Sequence, residues 1–414
     1  MTYNPTIPAG KTLFTERTAY KPFSFPWAYE AWHTQQKMHW LPEEVPMADD
    51  VQDWRRNLSP SEQNLLNHIF RFFVQSDVEI SKSYHSLYLK WFKPTEIQMM
   101  LNAFNNMETI HIAAYSHLID TLGLPEVEYE AFLKYREMKE KWEYLQGFYE
   151  PKDVRELALS MAVFGAFTEG LQLFASFAML LNFPRFNKMK GMGQIITWSV
   201  RDESHHCENI IRLFHDVLRE NPEVNDAQLR AQIEQACRDV VAHEDAFIDL
   251  AFEMGGVKGM TAEEIKQYIR YIADRRLIQL GYKGIFKVKE NPLPWLDEML
   301  NAVEHVNFFE QRGTEYAKAA TQGTWGDVFA ELDEPVVSAK PEWIVYTKTI
   351  CPYCTMAKNM LKQKGITWTE ISLDDDAERA KFYEQTGARS VPQILHNGKL
   401  VGGADKLGAY LREL

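Results

Sequence analysis

The sequence predicts a mostly helical bundle that is joined by a flexible linker to a small α/β domain. Long segments with the apolar spacing of helices occupy most of the chain before residue 312. This periodicity fades between residues 313 and 340, and short alternating segments typical of strands begin after residue 341. We therefore expect a helical domain at 1–312, a linker at 313–340 and a second domain at 341–414.

The composition is that of a globular protein, with 45% apolar and 25% charged residues among 414. The formal net charge is −13, from 45 basic and 58 acidic residues, and no run of Lys or Arg could follow a phosphate backbone. We therefore expect no nucleic-acid partner. Residues 1–11 lack the basic and apolar regions of an export signal, which predicts a cytoplasmic protein.

The first long helices of the predicted bundle follow an irregular, aromatic-rich arm. The arm covers residues 1–50 and includes a short helix at 27–39. A capping box, Ser59-Pro60-Ser61-Glu62, opens a long helix that runs to about residue 92. Pro94 starts the next helix, which ends at Gly123, and a charged helix follows at 129–145.

The segment 157–181 is strongly apolar and long enough to cross a membrane. Its one acidic residue is Glu169, whose carboxylate would be costly in lipid, and no aromatic or basic anchors frame the segment. We therefore predict no membrane association, and a core helix in which Glu169 has a strong partner such as a metal ion. Later helices are expected after a Gly191-Met192-Gly193 turn, ending at Asn221, and at 225–254, 261–282 and 294–311.

Two Glu-x-x-His motifs lie on separate predicted helices, at 108–111 and 203–206. Residues three apart share one face of a helix, so each motif can present both side chains together. Two further helices supply one carboxylate each. Such a set is the one by which ferritin-like four-helix bundles hold two metal ions, and its oxygen-rich donors suit iron or manganese. The six predicted ligands are Asp77, Glu108, His111, Glu169, Glu203 and His206.

The C-terminal region has the β-α-β-α-β-β-α order of a thioredoxin-like domain. Strands are predicted at 343–347 and 368–373, and Asn397-Gly398 marks a hairpin between two more. Cys351 and Cys354 form a Cys-x-x-Cys just before the first helix, which in a reducing compartment indicates redox chemistry. Half of a zinc site is the alternative, with His396 as the only other candidate ligand in this domain.

Several motifs of the helical region occur together in one known family. They are Met38-His39-Trp40-Leu41-Pro42-Glu43-Glu44, Gln75-Ser76-Asp77, Glu108-Thr109-Ile110-His111 with Tyr115, Glu169, Arg201-Asp202-Glu203 with His206, and Phe308-Phe309 followed by Tyr316. Through these motifs, residues 14–316 resemble the radical-generating beta subunit of class I ribonucleotide reductase. The resemblance implies that the six predicted ligands bind a dinuclear iron or manganese centre.

The resemblance also implies a path for an oxidising equivalent. The family's radical tyrosine matches Tyr115, which lies one helical turn from His111. The electron relay matches Trp40 and Asp202, and the tail tyrosine that passes the radical toward the catalytic subunit matches Tyr316. One branch of the family uses a manganese pair directly and keeps a silent tyrosine, so both roles of Tyr115 stay open.

The second domain resembles glutaredoxins over residues 341–414. A helix N-terminus favours the thiolate of Cys351, and Cys354 can resolve a mixed disulfide. Val391-Pro392 looks like the family's cis-proline loop, and Gly402-Gly403-Ala404-Asp405 looks like its glutathione contact, although Ser390 stands where many members have threonine. The implied glutathione site comprises Tyr353, Val391, Pro392, Gly403 and Asp405.

These resemblances predict a homodimeric beta subunit that is fused to its own reductant. It would send an oxidising equivalent to a separate alpha subunit, and glutathione would recharge the C-terminal domain, which re-reduces the alpha-subunit disulfide. Since the chain continues beyond the usual docking tail, we place the docking segment at 325–334. The alternatives are a di-metal oxidase or desaturase acting on a small apolar substrate, and a ferritin-like metal store.

Overall fold

The computed structural model divides the chain into two compact units, Met1–Asp333 and Glu334–Leu414, which are described separately. The predicted linker at 313–340, with Tyr316 and the predicted docking segment, lies outside the described residues. The described residues are 12–125, 127–300, 343–348, 352–375, 379–383, 388, 390–396 and 399–413.

The first unit is helical, as predicted. Its helices are α1 (Pro26–Lys37), α2 (Ala48–Gln52), α3 (Pro60–Ser83), α4 (Thr95–Leu122), α5 (Arg136–Leu145), α6 (Val154–Met161), α7 (Leu173–Leu181), α8 (Lys190–Glu220), α9 (Ala227–Ala251) and α10 (Ala262–Gln279). Residues 294–300 are also helical. Shorter helical turns precede or connect these helices, at Thr12–Phe14, Pro42–Glu44, Asp53–Asn57, Val127–Glu130, Ala131–Lys134, Gln146–Phe148, Pro184–Phe186 and Pro222–Val224.

Two of the long helices contain wide π-helical turns that the sequence did not predict. One, Tyr84–Tyr88, continues α3 toward Leu89–Trp91, and the other, Ala162–Gln172, joins α6 to α7. A π-helix has an extra residue per turn, and such segments occur frequently at functional sites. α3 packs against α4, and the second π-helical segment packs against α8, so the four carboxylate-bearing segments face one interior.

The N-terminus of α3 has the predicted capping box. The Ser59 hydroxyl accepts a hydrogen bond from the backbone N–H of Glu62 (3.2 Å), and the Glu62 carboxylate accepts one from the N–H of Ser59 (2.7 Å). The same carboxylate pairs with Lys188 at 2.8 Å. The cap therefore fixes the start of α3 and also joins it to the segment before α8.

The predicted turn at Gly191-Met192-Gly193 is wrong, because α8 already begins at Lys190. The carboxylate of Asp50 accepts hydrogen bonds from the backbone N–H groups of Gly191 and Met192, both at 2.8 Å, and so caps the helix from another segment. A Cβ atom at Gly191 would lie 2.8 Å from the carbonyl oxygen of Pro46. The glycine therefore permits close packing inside a helix rather than a turn.

The apolar segment around Glu169 lies in the core. Among the described residues, the stretch Val154–Phe186 is long and apolar enough to cross a membrane by length and composition, and 94% of its most apolar window is buried inside the fold. Such burial is the property of a core helix. The segment thus brings the Glu169 carboxylate into the interior of the bundle, where a partner is required.

A buried ion pair joins α5 to α9. Lys141 is 2% exposed and Glu244 is fully buried, and the Lys141 Nζ lies 2.5 Å from the Glu244 Oε1 and 3.5 Å from the centre of the Phe72 ring. Burial lowers the pKa of Lys141 and raises the pKa of Glu244, and the attraction between the two groups opposes both shifts. The pair therefore depends on both partners being present.

Replacing Lys141 with alanine is expected to lower the free energy of unfolding by about 3–5 kcal/mol, because it leaves the Glu244 carboxylate buried without its counter-ion. Urea denaturation of the metal-free chain measures this loss. The double variant Lys141→Met/Glu244→Leu serves as the control and should recover most of it, because an apolar pair replaces both charges. A double variant as unstable as the single one would contradict this explanation.

The second unit is a four-stranded sheet with helices, in the order predicted from sequence. The strand order is β2-β1-β3-β4, in which β1 and β2 are parallel and the other two pairs are antiparallel. The peptide bond between Val391 and Pro392 is cis. The elements are β1 (Trp343–Thr347), α11 (Pro352–Gln363), β2 (Thr369–Ser372), β3 (Gln393–His396), β4 (Lys399–Gly402) and α12 (Ala404–Glu413).

Candidate metal centre

The six predicted ligands meet in the interior of the bundle. α3 provides Asp77, the π-helical segment provides Glu169, and α4 and α8 each provide one Glu-x-x-His pair. None of the six side chains is more than 1% exposed. Asp77 in particular is buried in the core, although aspartate is a poor residue for the interior of a helix.

The six side chains form two overlapping groups of candidate ligand atoms. Within each group these atoms lie within 4.8 Å of one another. Glu108 belongs to both groups, so its carboxylate can bridge two ions. The first group is Asp77, Glu108 and His111, and the second is Glu108, Glu169, Glu203 and His206.

Contacts between the two Glu-x-x-His motifs cross from one helix to the other. The Nδ1 atom of His206 lies 3.0 Å from the Oε1 of Glu108, and the Nδ1 of His111 lies 3.0 Å from the Oε1 of Glu203. Within each motif the corresponding distance is 3.6 Å. The carboxylates of Glu108 and Glu203 therefore each lie within 3.6 Å of both imidazoles.

Several of these atoms have no hydrogen-bond partner among the described residues. They are the Nδ1 atoms of both imidazoles, both carboxylate oxygens of Glu108 and of Glu203, and one oxygen each of Asp77 and Glu169. The close Nδ1–oxygen contacts do not have hydrogen-bond geometry. Since unsatisfied buried polar atoms are costly, this convergence fits a pair of metal ions with oxygen and nitrogen ligands, as iron and manganese prefer.

The outer nitrogen of each imidazole has its own partner. The Nε2 of His111 lies 3.3 Å from the Oδ2 of Asp202, and the Nε2 of His206 lies 3.2 Å from the Oε1 of Gln35. Such contacts orient an imidazole and direct its other nitrogen toward a metal. Gln35 on α1 was not predicted from sequence, since it lies far along the chain from His206.

Asp202 connects the cluster to a tryptophan. The Trp40 indole donates a hydrogen bond to the same Oδ2 atom that contacts His111 (2.8 Å), and Arg201 pairs with the other oxygen at 3.0 Å. Burial raises the pKa of the Asp202 carboxyl, but Arg201 and His111 outweigh it and hold the pKa below its usual range. A second indole, Trp198, has its ring centre 5.1 Å from that of Trp40.

The two tyrosines nearest the cluster have different partners. Tyr115 is 3% exposed, and its hydroxyl donates a hydrogen bond to the Oγ of Ser199 (3.0 Å) rather than to a predicted ligand. The hydroxyl of Tyr84 donates directly to the Oε1 of Glu169, at 2.7 Å. Sequence reasoning missed Tyr84, although it lies two helical turns beyond Asp77, a spacing that places both on one helix face.

Without metal, the charges of the cluster favour bound protons. Burial raises the pKa of Asp77 and Glu169 well above the usual range, and nearby glutamates add to this. Burial lowers the pKa of the two imidazoles, but the carboxylates around them outweigh this effect. The pKa of His206 is thereby raised to about 10, and that of His111 is raised well above its usual value.

Metal binding is therefore expected to release protons and to tighten as the pH rises. Ligands must lose their protons to coordinate a metal, and the raised pKa values of Asp77, His111, Glu169 and His206 mean that protons compete for the site. Isothermal titration calorimetry with Mn²⁺, in buffers of different ionisation enthalpy, measures the protons released. An affinity that does not change with pH, and no proton release, would contradict this picture.

The structure describes only part of the predicted redox site in the second unit. Cys354 is buried and disulfide-bonded, and Tyr353 beside it is 66% exposed. Pro392 is buried and Gly403 is half-buried. Cys351 and the side chain of Asp405 lie outside the described part of the chain, so the predicted glutathione site stays a prediction.

His396, the alternative zinc ligand, is engaged elsewhere. Its Nδ1 lies 3.0 Å from the Tyr410 hydroxyl, and its ring stacks on Trp343 with 4.1 Å between the ring centres. These contacts hold the imidazole in the core of the second unit. They favour the redox interpretation of the Cys-x-x-Cys over the zinc interpretation.

The helical fold and the two groups of candidate ligands that share a glutamate fit the class of di-metal carboxylate proteins. The sequence matches the family "Ribonucleotide reductase, small chain" over residues 17–292 and the family "Glutaredoxin" over residues 344–401. The chain belongs to the ribonucleotide reductase small-chain family and carries a C-terminal glutaredoxin domain. It is thus a ribonucleoside-diphosphate reductase small subunit by family, as the sequence predicted.

Individual relatives agree with this assignment. The chain is 45% identical over 330 residues to the "Probable ribonucleoside-diphosphate reductase small subunit 048L" of Invertebrate iridescent virus 3, covering 76% of this chain and 88% of the relative. Its fold is similar to the ribonucleotide reductase R2 subunit from Clostridium botulinum, with a TM-score of 0.65, 22% identity and coverage of 72% and 98%. It is also similar to dimanganese(II)-NrdF of Streptococcus sanguinis, with a TM-score of 0.59, 22% identity and coverage of 67% and 96%.

Proposed function

We propose that the helical unit generates an oxidising equivalent at a dinuclear metal centre and passes it to a separate catalytic alpha subunit, which reduces ribonucleoside diphosphates. The observation that carries this proposal is the unbroken series of contacts from His111 through Asp202 to Trp40. A metal store would not need such a series. The viral relative's name and the family match support the same reaction class.

The six side chains of the cluster would hold the pair of metal ions, and Glu108 is the one residue that both ligand groups share. When bound, reduced iron or manganese ions would supply a strong one-electron oxidant after reaction with an oxygen species. The surrounding residues are buried, which excludes bulk water from the site. Iron and manganese both suit this donor set, and one solved relative is described as a dimanganese protein.

Trp40 lies at the end of the series of contacts that starts at His111 and passes through Asp202. Its indole N–H donates a hydrogen bond to the Asp202 carboxylate, which also pairs with Arg201 and lies 3.3 Å from the Nε2 of His111. When the Trp40 indole gives up an electron to the oxidised metal centre, its N–H proton can pass to the Asp202 oxygen that accepts its hydrogen bond. Tyr316, which lies outside the described residues, would carry the oxidising equivalent onward to the alpha subunit.

Replacing Trp40 with phenylalanine is expected to abolish nucleotide reduction with an added alpha subunit while leaving two metal ions bound. The change removes the indole that adjoins Asp202 but none of the predicted ligands. The matched control is Trp27→Phe, since Trp27 is also buried and hydrogen-bonded to an aspartate, Asp216 (3.0 Å), which is not part of the ligand groups. Full activity of the Trp40 variant would contradict the relay.

The C-terminal domain is proposed to act as the reductant of the alpha subunit. Its Cys351/Cys354 dithiol would reduce the disulfide that each turnover leaves and become a disulfide itself. Two glutathione molecules would then restore the dithiol and leave as glutathione disulfide. Tethering raises the effective concentration of the reductant near its target. We also expect a homodimer, the cytoplasm as the location, and docking of alpha through residues 325–334.

Electron paramagnetic resonance tests whether Tyr115 carries the radical. The chain is loaded with Fe²⁺ or Mn²⁺, exposed to oxygen and frozen, and the wild type is expected to show an organic radical signal. The Tyr115→Phe variant should lose this signal while keeping its metal content. Full nucleotide reduction by that variant would overturn the tyrosyl role and assign the oxidant to the metal ions. No oxidised species in the wild type would contradict the proposed function itself.

A further inference from the structure

We propose that Tyr84 is a positioning residue of the metal centre, which holds Glu169 as a ligand through a single carboxylate oxygen. This inference rests on the proposed function, since it concerns how one side of the metal pair is built. It assigns a role to a phenol that is neither a predicted ligand nor part of the predicted relay.

The first observation is how the two oxygens of Glu169 are used. Oε1 accepts the hydrogen bond from the Tyr84 hydroxyl at 2.7 Å, whereas Oε2 has no hydrogen-bond partner among the described residues. Glu169 is one of the four members of the second ligand group. The phenol thus occupies one oxygen and leaves the other for an ion.

The second observation is that packing holds the phenol itself in place. Tyr84 is fully buried, and its ring centre lies 6.3 Å from the rings of both Phe104 and His206. Phe104 in turn stacks on His206, with 4.4 Å between ring centres. The hydroxyl therefore cannot turn away from Glu169 without disturbing a tightly packed group that includes another ligand of the same ion.

The third observation is that a buried arginine is hydrogen-bonded to the backbone beside Glu169. The guanidinium of Arg276 is 3% exposed, and its Nε donates a hydrogen bond to the carbonyl oxygen of Gly170 at 2.7 Å. A Cβ atom at Gly170 would lie 2.6 Å from that Nε and 2.6 Å from the Cys207 Sγ. Arg276 thus fixes the π-helical segment that carries Glu169, while Tyr84 fixes the carboxylate at its end.

These contacts act on one ligand group only. Among the described residues, neither Tyr84 nor Arg276 forms a hydrogen bond with Asp77 or His111, which complete the first group together with Glu108. Loss of the Tyr84 hydroxyl would free Glu169 to rotate and to use either oxygen or both. We therefore expect a lower metal affinity at the second ligand group and an unchanged affinity at the first. A general loss of stability would lower both affinities.

The test is a titration of the full-length, metal-free chain with Mn²⁺, in which the resonance of free Mn²⁺ reports the unbound ion. The wild type should bind two ions. Tyr84→Phe should weaken one of them about 10- to 100-fold, the usual effect of losing an outer contact to a ligand, and leave the other unchanged. Arg276→Lys, which keeps the charge but loses the Nε donor, should weaken the same ion.

The matched control is Tyr88→Phe. Tyr88 belongs to the same π-helical turn and is equally buried, but its hydroxyl has no hydrogen-bond partner among the described residues. This variant should bind both ions as the wild type does. Thermal unfolding without metal checks that all variants fold.

The outcomes separate this inference from the proposed function. Two ions bound with wild-type affinity by Tyr84→Phe would overturn the positioning role, and so would equal weakening of both ions. A wild-type chain that binds no pair of ions would contradict the proposed function, and the role of Tyr84 would fall with it. Selective weakening in Tyr84→Phe, absent in Tyr88→Phe, would establish the inference.

Discussion

A chain in which Glu108 is replaced by glutamine is expected to bind neither metal ion. Glu108 is the one side chain that belongs to both ligand groups, and each of its oxygens lies near a different imidazole. The amide removes the negative charge and leaves a weak ligand at the centre of the site. The affinity for each ion should fall by more than about 100-fold, beyond the range typical of changes in outer contacts.

Metal analysis after gel filtration measures this loss, and circular dichroism checks the fold. Glu96→Gln is the matched control, because Glu96 lies on the same helix, is also buried, and uses its Oε1 to accept hydrogen bonds from the backbone N–H groups of Ser24 and Phe25. An amide oxygen can replace that acceptor, so the control should bind two ions. A Glu108 variant with a full complement of metal would contradict the shared-ligand arrangement.

Replacing Cys351 with serine is expected to abolish nucleotide reduction driven by glutathione. The variant lacks the predicted nucleophile of the C-terminal domain, so the alpha-subunit disulfide formed in each turnover is not reduced. Only direct reduction by untethered glutathione remains, so the steady-state rate should fall by about two orders of magnitude or more, since the free reagent lacks the effective concentration of the tethered domain. A first turnover, and continued turnover with dithiothreitol, should be unaffected, since the helical unit is unchanged.

Deoxyribonucleotide formation with an alpha subunit, glutathione and glutathione reductase measures this effect. The control is Cys237→Ala, which removes a free cysteine that is buried in α9 and whose thiol pKa is raised by burial. That variant should keep glutathione-driven turnover. If the Cys351 variant does so as well, the C-terminal domain is not the reductant of the alpha subunit.

The helices and the six cluster residues could be predicted because their signals are local. A Glu-x-x-His motif places two ligands on one face by helix geometry alone, as at Glu108 and His111. Glu169 was detectable because a lone acid in an apolar helix needs a partner. The change from a helical to an α/β fold class along the chain was detectable as well, since helix and strand patterns differ in period.

The errors arose where tertiary contacts override local patterns. Gly191 resembles a turn residue, but a carboxylate from a distant segment, Asp50, caps the helix around it. The π-helical turns have no pattern of their own, and one of them carries Tyr84. Gln35 and Ser199 were missed because a single polar residue in a helix does not indicate which distant side chain it will meet.

Which atoms contact each other around the cluster could be determined only from the structure. Sequence resemblance implied that Asp202 and Trp40 act near His111, and the distances place one carboxylate oxygen between the indole and the imidazole. The same distances show that Tyr115 bonds to Ser199 and Tyr84 to Glu169. The phenol in direct contact with a candidate ligand is therefore the one that the motifs did not mark.

The most direct test of the proposed function is the reduction of a ribonucleoside diphosphate by the metal-loaded full-length chain, assayed alone and with a catalytic alpha subunit. We expect deoxyribonucleotide only in the mixture, with loss of activity in the Trp40→Phe chain and retention in Trp27→Phe. Product formed by the chain alone would contradict it. So would an inactive mixture in which the wild-type chain holds two metal ions and the alpha subunit is active with another small subunit.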